Sequence, residues 1–276
     1  MIVQPAELAA QLSNPNWIMF DCRHDLADTE AGRRAYFDSH IPGARFAHLD
    51  EDLSGTRTGK NGRHPLPDPE KLSAWLSRMG VDETKQLVAY DASGAAFASR
   101  LWWMLKWLGH DRAGVLDGGF KLWVALGLPV TDELPKITPA SFKARIRDVT
   151  VDSRYIEERL RRPDCVVIDA RSPERFRGIG ETLDPVGGHI PGACNRFYMN
   201  NLDDQGCFKR RDALRESFSE LIGRASPENV VHQCGSGVTA CQNLLAMEIA
   251  GLSGSRLYPG SWSEWCSEPS RPISRD

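Results

Sequence analysis

Residues 230–240 read Val230-Val231-His232-Gln233-Cys234-Gly235-Ser236-Gly237-Val238-Thr239-Ala240. The opening four form a short apolar run that turns polar at its end, the pattern of a strand buried in a parallel sheet. Two glycines and a serine follow, so the backbone can curl tightly with its N–H groups converging. Residues 239–250 then have helical character. Strand, tight loop and helix in this order predict an α/β fold with a mostly parallel sheet, in which chemistry gathers in the loops after the strand ends.

The same unit occurs earlier in the chain, and its segments recur in the same order. Phe20-Asp21-Cys22-Arg23 answers Ile168-Asp169-Ala170-Arg171, and His40-Ile41-Pro42-Gly43-Ala44 answers His189-Ile190-Pro191-Gly192-Ala193. Val88-Ala89-Tyr90-Asp91 answers Val231-His232-Gln233-Cys234, and Gly118 with Trp123 answers Gly260 with Trp265. Strands are expected at 17–21, 87–90, 166–169 and 230–233, with a helix at 95–108 matching the one at 239–250. We therefore expect two tandem domains, each a mostly parallel sheet flanked by helices: 1–130, a proline-rich linker at 131–143, and 144–276.

Composition agrees with two globular halves. The chain has 276 residues, 41% of them hydrophobic, which suffices for a core in each half. A formal net charge of -3 offers no field for a polyanion, so nucleic acid is not an expected partner. The richest apolar stretch, 101–108, is short and interrupted by Lys106, so no membrane span is expected. The N-terminal residues lack the basic start and apolar run of an export signal. Seven cysteines without CxxC spacing argue against a disulfide framework and a zinc site. Together these predict a reducing, cytoplasmic setting.

The halves differ at one decisive position: Asp91 stands where the second copy has Cys234, so only the second carries a nucleophile. The loop amides of Gly235, Ser236, Gly237, Val238 and Thr239, with the N-terminus of the next helix, would stabilise a thiolate or persulfide on Cys234. The plain alternative, a small buried hydrophobe, is accepted for the other six cysteines. Cys241 and Cys266 are the two of these that could serve as secondary thiols. For Cys234 it does not explain the Gly-Ser-Gly bend beside it. A phosphatase loop would need an arginine to clamp phosphate, and Ala240 stands at the sixth residue after the cysteine.

With these motifs in place, the chain resembles the rhodanese family, in particular its 3-mercaptopyruvate sulfurtransferase branch. The resemblance spans nearly the whole sequence and rests on the paired His-Ile-Pro-Gly-Ala motifs, Cys-Gly-Ser-Gly-Val-Thr-Ala at 234–240, Asp-Ala-Arg at 169–171 and Gly-Ser-Trp at 260–262. It implies an inert first domain and a second that carries sulfane sulfur as a persulfide on Cys234. It also implies a donor-carboxylate arginine at Arg175 and a proton relay of Ser236, His64 and Asp50, the last two supplied by the first domain. His48 and Asp52 are the neighbours most easily confused with that pair, and a solvated loop is the alternative reading of His64.

The neutral Gly235-Ser236-Gly237 loop suits a donor whose charge sits elsewhere, such as mercaptopyruvate; family members that prefer thiosulfate have cations directly after the cysteine. One departure bears on the donor: Asp184 stands about where a second carboxylate-binding arginine is expected, so either Arg196 substitutes or thiosulfate competes. The expected partners are a small-molecule sulfur donor and a thiol acceptor, either a small thiol or a thioredoxin-like protein, or cyanide. No cofactor and no metal are expected. A thiosulfate:cyanide sulfurtransferase and a non-catalytic sulfur-carrier or docking module stand as alternatives.

Overall fold

The computed structural model describes residues 1–160, 162 and 164–276. Its contacts divide the chain into two compact units: Met1–Gly55, Leu66–Asp148 and Asp203–Phe208 in the first, and Thr56–Pro65, Val149–Leu202 and Lys209–Asp276 in the second. The loop Thr56–Pro65, which carries His64, is thus part of the second unit although it lies within the first copy in sequence.

In the first unit the strands are β1 (Ile2–Val3), β2 (Trp17–Asp21), β3 (Arg45–Phe46), β4 (Gln86–Tyr90) and β5 (Ala113–Leu116). They form one sheet in the order β1-β5-β4-β2-β3, parallel throughout. In the second unit β6 (Val166–Asp169), β7 (Cys194–Asn195), β8 (Val230–Gln233) and β9 (Arg256–Leu257) form a parallel sheet in the order β7-β6-β8-β9. Each unit is therefore an α/β domain of the expected kind. The long apolar runs became the central strands: β4 and β8 are buried at every position but the first of β4. The helices Ala98–Trp107 and Ala240–Ile249 follow them and are buried on nearly all sides. Residues 131–143 run along the first unit, with Ala140 N donating to Ser77 O (2.8 Å) and Phe142 N to Ser77 Oγ (2.9 Å).

The repeated motifs do the same structural work in each unit. Asp21 and Asp169, buried at the ends of β2 and β6, each take a forked contact from the arginine two residues on, Arg23 (2.6 Å) and Arg171 (2.7 Å). His40 Nδ1 donates to Tyr36 O (2.7 Å) and stacks on that ring; His189 Nδ1 donates to Phe176 O (2.9 Å) and stacks likewise. Gly43 and Gly192 turn the chain with φ of 80° and 82°, a conformation glycine adopts without strain. Buried polar groups held by ion pairs and hydrogen bonds fix a single arrangement of a core, which accounts for the repetition of these residues.

Candidate active site

β8 ends at Gln233, and Cys234 begins the loop that turns into the helix Ala240–Ile249. The thiol is 2% exposed. Ser236 N–H points back at Cys234 Sγ across 3.5 Å. Gly237, at φ 74°, makes the turn; a Cβ there would lie 2.4 Å from Pro259 O, so the position has room only for glycine. The loop is pinned by the segment 260–263: Cys234 N donates to Ser261 Oγ (3.1 Å), while Trp262 N and Ser263 N donate to Cys234 O and Gly235 O (both 3.0 Å). Ser261 itself has φ 53°, unusual for a residue with a side chain, and it is fully buried. Backbone strain of this kind persists where the surroundings fix it and clusters at functional sites. Val238 is buried, and Thr239 precedes the helix without capping it through its side chain.

Ser236 Oγ and His64 Nδ1 lie 2.7 Å apart, both groups buried. Asp50 stands in the first unit, its Oδ2 3.9 Å from His24 Nε2. His48 is occupied locally: its Nδ1 accepts from Asp50 N (3.1 Å), its Nε2 bonds Thr29 O (3.0 Å), and its own N–H goes to Asp52 (2.8 Å).

Arg175 lies on the short helix Pro173–Phe176, whose N-cap Ser172 accepts from Arg175 N. Its Nε and Nη2 donate to Glu181 (both 3.0 Å), and Nη2 also reaches Asp184 Oδ2 (3.4 Å). The Glu181 and Asp184 side chains are 3% and 2% exposed. Burial works to raise the Glu181 pKa, but the Leu183 amide and Arg175 outweigh it and hold the carboxyl below its usual range. Arg171 lies between Asp169, Glu181 (3.7 Å) and the face of Trp262 (4.9 Å). Burial would lower its pKa, and the two carboxylates reverse that, so it remains a cation.

Arg196 does not join this group: its guanidinium is taken by Asn201 Oδ1 (2.9 Å) and Ser217, and lies over Phe218. A residue that sequence reasoning missed does join it. Arg63 Nη1 pairs with Asp184, and a Cβ placed on Gly235 would sit 2.7 Å from Arg63 Nη2 and 3.5 Å from Arg175 Nη1. The place of Arg63 directly before His64 was the one hint in the sequence; that Asp184 is buried and calls for a cation is visible only in the structure.

Burial disfavours the thiolate at five of the other cysteines. Burial pushes the pKa of Cys22 well up, raises Cys165 and Cys194, and takes Cys207 and Cys266 to about 11. Cys241 is fully buried and donates to Gly237 O (3.4 Å), so it holds the loop. No helix among the described residues is long and apolar enough to cross a membrane.

Known proteins resemble this chain over both domains. The model of the rhodanese-like domain matches twice, at residues 4–126 and 152–268. A Pseudomonas aeruginosa protein named as a probable 3-mercaptopyruvate sulfurtransferase is 44% identical over 97% of this chain and 95% of its own length. The thiosulfate sulfurtransferase of Rattus norvegicus is 33% identical over 91% and 85%. The solved structure of 3-mercaptopyruvate sulfurtransferase from Leishmania major superposes with a TM-score of 0.84 at 31% identity, covering 96% of this chain and 74% of that one. With two matched domains and relatives aligned over almost all of its length, the chain belongs to the rhodanese family of sulfurtransferases.

Proposed function

We propose that Cys234 takes sulfane sulfur from 3-mercaptopyruvate, holds it as a persulfide and passes it to a thiol or to cyanide, releasing pyruvate. The Cys234 thiolate attacks the donor sulfur; a S–S bond forms, the C–S bond breaks, and its electron pair moves to carbon as an enolate. That carbon needs a proton. The hydrogen-bonded pair of Ser236 and His64, next to the sulfur, is the observation that favours a donor of this kind, since a hydroxyl backed by an imidazole can deliver it. Asp50 is the proposed third member of the relay and Arg175 a ligand of the donor carboxylate. The outer sulfur of the persulfide would lie among the loop amides of residues 235–239, with the N-terminus of the helix Ala240–Ile249 adding partial positive charge. The acceptor would be a small thiol, a thioredoxin-like protein or cyanide, in a reducing cytoplasm.

Two guanidinium groups beside Gly235 favour a second reading, in which the dianion thiosulfate is the preferred donor. Steady-state rates with both donors separate the two. The account predicts the higher kcat/KM for mercaptopyruvate, with one pyruvate per sulfur moved; a higher value for thiosulfate reverses the assignment. An unmodified Cys234 after exposure to both leaves only a docking module.

A further inference from the structure

We infer that Arg63 is the second guanidinium that grips the donor carboxylate, supplied by the loop Thr56–Pro65 to make good the arginine that Asp184 displaces, and that Asp184 is the brace that holds Arg63 and Arg175 side by side. The inference rests on the reading of mercaptopyruvate as donor and adds the residue that selects it.

The position of Arg63 is fixed by its backbone. Its N–H donates to Ser263 Oγ (3.0 Å), and Ser263 N–H in turn donates to Gly235 O in the cysteine loop. Gly62, at φ 84°, sits so close to the 260–263 segment that a Cβ would meet Gly260 O at 2.7 Å. The loop carrying Arg63 is therefore anchored to the same segment that pins Cys234.

The side chain is aimed by Asp184. That carboxylate, 2% exposed, takes Nη1 of Arg63 and Nη2 of Arg175, so one buried anion joins two cations. Glu181 takes the remaining edge of Arg175. The guanidinium atoms that border Gly235 are Arg63 Nη2 and both Nη1 and Nη2 of Arg175, of which Nη2 also serves Glu181 and Asp184. The planar fork of a guanidinium matches a carboxylate, and two forks held together present a bidentate surface one residue from the sulfur. The glycine at 235 keeps this surface open, since a side chain there would fill the space in front of Arg63. A donor carboxylate gripped by both forks would lie beside Gly235, the residue next to Cys234.

Steady-state kinetics on the full chain, with 3-mercaptopyruvate and with 1-mercaptopropan-2-one, its analogue with a methyl group in place of the carboxylate, test the inference. Loss of a charge-assisted contact lowers binding by about ten- to a hundred-fold. Arg63→Met should raise KM for mercaptopyruvate by about that factor, with a smaller change in kcat, and leave kcat/KM for the uncharged analogue within about twofold. The double variant Arg63→Met/Asp184→Asn separates contact from charge balance: KM stays high if Arg63 itself holds the carboxylate. Recovery of the wild-type KM in the double variant, or an unchanged KM in Arg63→Met while the wild type releases pyruvate, overturns the inference. Arg63→Lys, which keeps the charge and loses the fork, should fall between wild type and Arg63→Met. Absence of pyruvate from the wild-type enzyme overturns the donor assignment itself, and the inference with it.

Discussion

Asp91 holds, in the first unit, the strand-to-helix position that Cys234 holds in the second. Both residues follow a central strand, β4 or β8, and both precede a buried helix. The Asp91 carboxylate accepts four backbone N–H groups, from Ser93 (2.8 Å), Ala95 (3.0 Å), Phe97 (2.8 Å) and Ala98 (2.9 Å). In the second unit Ser236 N–H reaches the thiol (3.5 Å). A carboxylate oxygen lies two bonds beyond Cβ, as the outer sulfur of a persulfide does. The first loop is thus an anion cradle occupied by its own side chain; under the proposed function the outer sulfur of a persulfide would take the corresponding place in the second.

Asp91→Asn tests this equivalence. Burial pushes the Asp91 pKa up and the four N–H groups oppose it; the amide side chain offers one acceptor oxygen where four donors converge. Unsatisfied buried N–H groups cost about 1–3 kcal/mol each, so urea denaturation should show a loss of roughly 2–4 kcal/mol. The kcat per folded molecule should stay at the wild-type value.

How much was legible in the sequence follows from the same residues. The apolar runs gave β2, β6 and β8 their observed limits, because a short apolar run that ends in a polar residue is the pattern of a buried parallel strand. The two-residue strands β1, β3, β7 and β9 carry no period, and only the tertiary pairing defines them. At the site, Cys234 was readable from the glycines beside it. Arg63 was not, since its partner Asp184 lies over a hundred positions away and reads in isolation as a surface acid. Ser261 was read only as part of a motif, and its strained backbone is visible in three dimensions alone.

Ser236→Ala should lower kcat with mercaptopyruvate by about a hundredfold or more, the usual reach of general acid catalysis. Turnover with thiosulfate, which leaves no carbanion to protonate, should change little. Because Ser236 and His64 share one hydrogen bond, the Ser236→Ala/His64→Ala double variant should be no slower than the worse single variant. Additive losses would show that the two act separately.

Gly237→Ala should destabilise the protein. The left-handed backbone costs a residue with Cβ about 1–2 kcal/mol, and the contact with Pro259 O at 2.4 Å adds to that because backbone is met by backbone. A fall in Tm together with slowed persulfide formation is the expected outcome; a wild-type Tm would mean the loop has a freedom the geometry denies.

Stability should also fall in mild acid. His232 on β8 is fully buried with Nε2 3.1 Å from Met247 Sδ, and burial lowers its pKa from 6.5 to about 3. The unfolded chain therefore takes up a proton below about pH 6.5 that the native chain refuses, down to its own pKa near 3. Stability contributed above pH 6.5 is lost in that window at up to about 1.4 kcal/mol per pH unit. Urea midpoints at pH 7 and pH 5 should differ less in His232→Leu than in the wild type.

The central claim is that one sulfur atom, on Cys234, carries the cargo. Intact-mass measurement after brief exposure to mercaptopyruvate, with peptide mapping, tests it most directly. The account predicts a gain of one sulfur on the Cys234 peptide, removed by cyanide and absent from a correctly folded Cys234→Ser variant. A sulfur on any other cysteine, or full turnover by Cys234→Ser, would contradict it.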